Sequence, residues 1–156
     1  MDWLSPDCFK NIVENTPLIS VDFVVRNISG EVLLGQRLNR PAKGFWFVPG
    51  GRILKNETLA DAFLRLTKAE LGQVFEITSA RYLGLYEHFY TDSVFGVQPD
   101  THYVVNAFEL IVTTTLNLPK TQHNQYQWLS ESDLLQRDDV HCHTKWYFES
   151  NKGYKA

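Results

Sequence analysis

Short runs of alternating apolar and polar residues, rich in branched side chains, predict a sheet of several strands. Ser29-Gly30 is typical of a hairpin turn between two of these runs. The segment from Phe45 to Val48 is continuously apolar, as in a short buried strand. The predicted strands are residues 18–28, 32–37, 45–48, 80–89, 102–112 and 126–129.

Capping residues predict three short helices near the two ends of the chain. Ser5 as a cap and Pro6 in the first turn predict a helix that ends near Glu14. Residues 130–133, Ser-Glu-Ser-Asp, resemble a capping box at the start of a second helix. The third is predicted over residues 144–151.

The longest predicted helix runs from Thr58 to Leu71 and ends at Gly72. Its apolar residues recur at helical spacing and therefore predict one buried face. That face consists of Leu59, Ala62, Phe63, Leu66 and Ala69. Together, the strands and helices predict an α+β fold in which a mixed sheet is flanked by helices. We expect one domain over residues 1–156.

The composition is that of a compact soluble fold, since 44% of the 156 residues are hydrophobic and 13% are aromatic. A formal net charge of -3 argues against duplex nucleic acid as a partner, because such binding needs a basic surface. Cys8 and Cys142 have no metal-type spacing, and we expect free thiols. No apolar stretch is long enough to span a membrane, and the first residues lack a secretory signal. The expected location is therefore the cytoplasm.

A glycine loop followed by an acidic helix is the part of the chain that most clearly indicates chemistry. Gly51 opens the loop, Glu57 lies near the helix start and Glu70 near its end. Glycines let the backbone approach an anion closely, and a helix start favours negative charge. A carboxylate further along the helix can hold a hard divalent cation that bridges phosphates. The pattern indicates a site for a diphosphate and a metal ion.

The spacing Gly51-x5-Glu57-x7-Arg65, followed by Glu70-x-Gly72, resembles the Nudix box. This motif of diphosphate hydrolases is G-x5-E-x7-R-E-U-x-E-E-x-G-U, where U is apolar. The resemblance implies the Nudix fold, in which a mixed sheet forms the middle layer of an α/β/α sandwich.

The chain departs from the box at three positions. Leu66 and Ala69 stand where the family has glutamates, and Gln73 replaces the last apolar residue. A metal site with fewer carboxylates implies altered chemistry. Over about residues 4–148 the chain also resembles the GDP-mannose mannosyl hydrolases, a Nudix branch that attacks the sugar carbon instead of phosphorus. The matching segments are Asn39 to Ala42, Phe45 to Arg52, His88 to Tyr90, Thr101 to Tyr103 and Gln122-His123.

This second resemblance implies a reaction and a metal. GDP-mannose, or the related GDP-glucose, would be hydrolysed to GDP and the free sugar with inversion at the anomeric carbon. One Mg²⁺ ion per active site, replaceable by Mn²⁺, would be held by Glu70, the carbonyl of Gly50 and the amide of Gln122. Glu57 near the helix start is interpreted as a residue favoured by the helix dipole. The relatives are homodimers, so a homodimer is expected.

Histidine and aspartate candidates follow from the same resemblance. His123 lies in a polar loop, residues 120–125, where a histidine is ordinarily an exposed bystander; the family match assigns it as the general base. His88 corresponds to a substrate-site residue. His141 and His143 are expected at the surface. Asp22 interrupts an apolar alternation, either as a hydrogen-bonded structural acid or as a contact to the mannosyl unit.

The remaining candidates surround the diphosphate and the base. Arginines ordinarily lie at the surface, but the family match places them near the diphosphate, whose oxygens guanidinium groups bind in pairs. One of these, Arg65, could instead orient the loop. The side chain of Tyr103 either packs against neighbouring strands or donates a hydrogen bond to the β-phosphate. Phe9 and Tyr90 either stack on guanine or pack in the core. The arginines are Arg37, Arg52 and Arg65.

Three functions remain open from the residues. The first is hydrolysis at the sugar carbon, assisted by metal and arginine charge on the departing GDP. The second is cleavage at phosphorus to GMP and a sugar phosphate, which needs carboxylates that Leu66 and Ala69 do not provide. The third is a non-catalytic sensor of nucleotide sugars. The retained Glu70, Gln122 and His123 argue against the third.

Overall fold

The computed structural model describes residues 3–121 and 123–155. Its helices are α1 (Pro6–Asn15), α2 (Leu59–Leu71), α3 (Glu131–Gln136) and α4 (Cys142–Lys145), with 3-10 turns at Ile77–Ser79 and Trp146–Phe148. Its strands are β1 (Leu18–Arg26), β2 (Val32–Arg37), β3 (Trp46–Phe47), β4 (Gly50–Arg52), β5 (Arg81–Tyr90), β6 (Thr101–Ile111) and β7 (His123–Leu129).

These strands form a mixed sheet in the order β3-β2-β1-β6-β5, with β4 beside β1 and β7 beside β2. The pair β1–β6 is parallel, and the other pairs are antiparallel. β1 pairs with β4 through Ser20, Val21 and Asp22, but it meets β2 only at its end, where Arg26 lies opposite Val32. β1 therefore changes its partner beyond Asp22, and the sheet opens there.

Both faces of β1 are apolar because helices cover both sides of the sheet. Val21 and Phe23 are fully buried in the same cluster as Phe63 and Leu66 of α2. Val24 belongs to a second apolar cluster on the opposite face of the sheet, together with Leu134 of α3. The predicted α+β fold with a mixed sheet is confirmed, and its layers form an α/β/α sandwich.

Local side-chain contacts fix the ends of α2. The hydroxyl of Thr58 accepts a hydrogen bond of 3.1 Å from the backbone N–H of Asp61, which caps the helix start. At the helix end Gly72 has a φ of 73°. A Cβ atom at this position would lie 2.0 Å from the carbonyl oxygen of Asn117, so a side chain has no room.

Several predicted boundaries were wrong. Leu59, which is 37% exposed, and Ala69, which is also exposed, do not belong to the buried face of α2. β4 was not predicted, because its residues are mostly glycine. The last predicted helix is only four residues of α4 followed by a 3-10 turn.

Within residues 3–121 and 123–155, the helices are all too short or too polar to cross a membrane.

Candidate active site

A cavity of about 550 Å³ lies where β1 changes partner, between the loop before α2, the helix itself and the strands β1, β2 and β6. Eleven of the predicted site residues line it. They are Phe9, Asp22, Arg37, Gly50, Arg52, Arg65, Glu70, His88, Tyr90, Tyr103 and His123. Gln122 lies outside the described residues.

Asp22 stands on β1 at the wall of the cavity. One of its oxygens, Oδ2, accepts a short hydrogen bond from the hydroxyl of Tyr147. The other, Oδ1, lies over Gly50, where a Cβ atom would approach it to 2.2 Å. Burial raises the pKa of Asp22 to about 6, although the Tyr147 hydroxyl and the charge of Arg37 both favour the ionised form. Asp22 therefore has a structural partner and also faces the cavity.

Glu70 reaches the cavity from the last turn of α2 and is only 6% exposed. Among the described residues, no hydrogen-bond donor or ion-pair partner contacts its carboxylate. Burial raises its pKa to about 7, against the nearby charges of Arg37 and Arg65, while the charge of Asp22 adds to the rise. A buried acid without a partner is poorly solvated and favours a cation or a proton.

His123 does not lie in a loop, as the sequence predicted, because it is the first residue of β7 and pairs with Arg37 on β2. The imidazole is buried, stacks on Tyr126 at 5.7 Å and has no hydrogen-bond partner at Nδ1. It occupies the space over Gly35, where a Cβ atom would lie 2.0 Å from Nδ1. Burial, assisted by the charge of Arg37, lowers the pKa of His123 to about 4.

The three predicted arginines differ in their availability. Arg65 is occupied: it donates two hydrogen bonds, of 2.6 and 2.8 Å, to the carboxylate of Glu57 and one to the carbonyl of Arg52. Glu57 also accepts from the N–H of Leu54 and does not line the cavity, in keeping with a structural role. Arg52 lies over the ring of Phe9, 4.6 Å from its centroid.

A cluster of histidines lies behind the cavity, and this corrects the expectation that His141 and His143 are at the surface. His143 is buried and stacks on His88 with ring centroids 4.3 Å apart. His141 is partly buried and stacks on Phe47 at 4.7 Å. The side-chain ligand atoms of His141, Cys142 and His143 lie within 4.8 Å of one another. However, Nδ1 of His141 accepts the backbone N–H of His143, so this imidazole caps α4.

Aromatic rings form much of the remaining wall. Tyr90 contacts Tyr103 edge to face at 6.2 Å and Phe47 at 6.4 Å. Burial raises the pKa of both tyrosines above the usual value, so their hydroxyls stay protonated and can donate hydrogen bonds. These rings leave an opening bounded by apolar faces and polar hydroxyls, a combination common in ligand cavities.

The comparisons with known proteins identify the family. Residues 16–149 match the family described as the NUDIX domain. The chain belongs to the Nudix family. A curated relative, the low-salt glycan biosynthesis protein Agl8 of Haloferax volcanii, is 48% identical over 120 residues, which cover 76% of this chain and 74% of that protein.

Solved Nudix structures share the fold. The MutT protein of Methanosarcina mazei superposes with a TM-score of 0.71 at 24% identity, over 86% of this chain and 92% of that one. The NUDIX domain of Shewanella oneidensis NrtR, solved with ADP-ribose, gives a TM-score of 0.63 at 22% identity, over 93% of this chain and 91% of that one. Nudix hydrolases generally use a divalent metal such as Mg²⁺.

The Nudix motif did not reveal every residue that shapes the cavity. Tyr147, which holds Asp22, lies 125 residues further along the chain, so no local motif could indicate it. His143 supports His88 from α4 in the same way. Gly35 makes room for His123, and only its position opposite β7 shows this. These residues are found by tertiary packing alone.

Glu70→Gln should stabilise the metal-free protein at alkaline pH. Because the folded pKa is raised from 4.5 to about 7, the contribution of Glu70 is most favourable below pH 4.5 and is lost as the pH rises through 7. The variant should therefore gain on the order of 2–3 kcal/mol in free energy of unfolding at pH 8 and much less near pH 4. Chemical denaturation at several pH values measures this.

Glu57→Gln is the matched control, because its pKa is lowered by Arg65 and the same change should destabilise the protein. A Glu70→Gln protein that is no more stable than the wild type at pH 8 would contradict the assignment of Glu70 as a buried, unpartnered acid.

Gly35→Ala should displace the His123 imidazole, because the added methyl group would overlap the ring. We expect turnover to fall at least tenfold if His123 acts in the reaction. The change should add little to the loss caused by His123→Gln, since both act on the same ring. Additive losses in the double variant would mean that Gly35 matters for another reason.

Proposed function

We propose that this Nudix hydrolase converts GDP-mannose, or the related GDP-glucose in the same way, to GDP and the free sugar. Water attacks the anomeric carbon with inversion, and GDP is the leaving group. The proposal rests on the family membership and on the particular residues that line the cavity. In this reaction the bond between the anomeric carbon and the oxygen of GDP breaks, whereas attack at phosphorus would break a bond within the diphosphate.

The scarcity of carboxylates in the cavity carries this proposal. Within the described part of the chain, Asp22 and Glu70 are the acidic residues that line the cavity. Leu66 and Ala69, which occupy glutamate positions of the Nudix box, also line it but offer no ligand. A cluster of metal ions that activates water for attack at phosphorus needs more oxygen ligands than Glu70 alone supplies from α2.

The cavity fits one divalent cation. Glu70 is buried, has no described partner and lies near the charge of Asp22, so a cation would relieve an unfavourable arrangement. The carbonyl of Gly50 and the amide of Gln122 are the further proposed ligands. When bound, Mg²⁺ or Mn²⁺ neutralises charge on the diphosphate and so makes GDP a better leaving group.

Arg37 and Arg52 keep guanidinium donors that no acid in the described part of the chain occupies, so they can serve the phosphates. Arg37 lies over Phe47 at 5.6 Å and makes one long hydrogen bond, of 3.4 Å, to the carbonyl of Asn39. Arg65 contributes by fixing the loop through Glu57. Tyr103 can donate to a phosphate oxygen from the same wall. Positive charge held in advance near the diphosphate stabilises the departing GDP.

His123 is the proposed general base. Its lowered pKa keeps the imidazole neutral at physiological pH, as a base must be, although a base of pKa about 4 has less driving force than one near 7. Asp22 lies on β1, and β1 and β7 pair with opposite edges of β2. We assign Asp22 to face the sugar and to stabilise positive character at the anomeric carbon. His88 is proposed to contact the sugar, and Phe9 with Tyr90 the guanine.

The glycan relative supports a sugar nucleotide as substrate. Agl8 of Haloferax volcanii is named for glycan biosynthesis, and glycans are assembled from activated sugars. Purified protein should therefore be tested on GDP-mannose beside GDP-glucose and ADP-ribose, with Mg²⁺ present. A homodimer is proposed as the working form.

Hydrolysis in oxygen-18 water distinguishes attack at carbon from attack at phosphorus. The label should enter mannose and be absent from GDP, because the new bond forms at the anomeric carbon. Mass spectrometry of both products measures this, and proton NMR of the first mannose anomer measures inversion. Label in a phosphate-containing product would overturn the mechanism.

His123→Gln should lower kcat by on the order of a hundred- to ten-thousand-fold, the usual contribution of a general base, with little change in KM. The ratio of wild-type to variant rates should stay constant from pH 6 to 8, because the imidazole with a pKa of about 4 is neutral throughout. His102→Gln is the control, since His102 does not line the cavity. A ratio that falls below pH 7 would show that His123 titrates there.

A further inference from the structure

The strands beside Asp22 give its carboxylate no support. Asp22 pairs with Ala107 on β6 and with Gly50 on β4. In a sheet these cross-strand neighbours project to the same face, so they are the side chains that could hold the carboxylate laterally. Alanine has only a methyl group and glycine has no side chain, so neither residue offers a side-chain donor to the carboxylate. A short acid in this position would be free to rotate about its terminal bond.

Tyr147 supplies the missing contact from the face of the sheet to which Asp22 and Ala107 project. Its hydroxyl donates to Oδ2 of Asp22, and the side chain is 7% exposed. The ring packs edge to face on Tyr86 at 4.7 Å and lies 5.9 Å from the ring of His88. Burial raises the pKa of Tyr147 well above 10, so the hydroxyl keeps the proton that it donates.

Tyr147 is absent from the residues that line the cavity, so it does not face a ligand there. The hydroxyl of Tyr147 donates to Asp22, and Tyr147→Phe keeps the ring beside His88, so an effect of removing the hydroxyl alone should pass through Asp22. The bond to Oδ2 leaves Oδ1, which lies on the Gly50 side, without a donor among the described residues. The two oxygens of one carboxylate thus have different roles.

We propose that Tyr147 is a positioning residue, whose hydroxyl fixes the Asp22 carboxylate so that Oδ1 faces the reacting sugar. This inference rests on the proposed hydrolysis at the sugar carbon and adds a residue to it. A carboxylate held in one orientation stabilises a developing positive charge without reorganising during the reaction. Loss of the hydroxyl should therefore raise the barrier more than it weakens substrate binding.

The test compares Tyr147→Phe with Tyr86→Phe. Both changes remove one buried tyrosine hydroxyl and keep the ring, but the hydroxyl of Tyr86 has no hydrogen-bond partner among residues 3–121 and 123–155. With GDP-mannose, Tyr147→Phe should lower kcat on the order of ten- to a hundred-fold, while KM and the affinity for GDP change less than about threefold. Tyr86→Phe should leave kcat within about twofold of the wild type.

A double-variant cycle shows whether the effect passes through Asp22. In the Asp22→Ala background, Tyr147→Phe should cause no further loss of kcat. The same loss in both backgrounds would overturn the proposal, as would wild-type kcat in Tyr147→Phe. A fall in the activity of Tyr86→Phe equal to that of Tyr147→Phe would also overturn it, since general packing would then explain both.

A measurement without turnover separates this proposal from the proposed function. The ¹³C resonance of the Asp22 carboxyl, assigned by its loss in Asp22→Ala, should move in Tyr147→Phe and stay in place in Tyr86→Phe. An unmoved resonance overturns the positioning role whether or not the protein is active. A wild-type protein that does not hydrolyse GDP-mannose overturns the proposed function, while a moved resonance would still support the contact.

Discussion

The carboxylates of Glu70, which is buried, and Asp22, which is partly buried, share the cavity with a guanidinium group that pairs with neither. The charge of Arg37 lowers the pKa of both Asp22 and Glu70, yet burial outweighs it at each acid. Within the described residues, no ion pair of 4.0 Å or less joins Arg37 to an acid. The charges are therefore kept apart by the fold, and each remains available to a ligand. The rest of the site is arranged around this separation.

The separation follows from the course of β1. β1 pairs with β4 as far as Asp22 and with β2 only at Arg26, so the strands β4 and β2 diverge beside Asp22. α2 then brings Glu70 to the opening from one side of the sheet, while the C-terminal turns bring Tyr147 from the other. A sheet with continuous pairing at this point would have closed the cavity. The same apolar residues that build the two cores thus hold the acids in place.

The sequence predicted much of the fold, because hydrophobic periodicity and caps are local. Ser5 caps α1, and Ser130 caps α3, as expected. The described residues chosen for the site also line one cavity, and most of them came from the family resemblance and not from a local pattern. The environment of each residue could not be predicted. The burial of His123 depends on Gly35 in another strand, and that of His143 on the ring of His88.

The contact between Tyr147 and Asp22 joins residues 125 positions apart. During synthesis β1 emerges well before the 3-10 turn Trp146–Phe148, so its acid lacks this donor until that turn has been made. A nascent chain that stops short of the turn leaves the Asp22 carboxylate unrestrained. The orientation of an acid on an early strand is thus set only when a much later segment folds onto it.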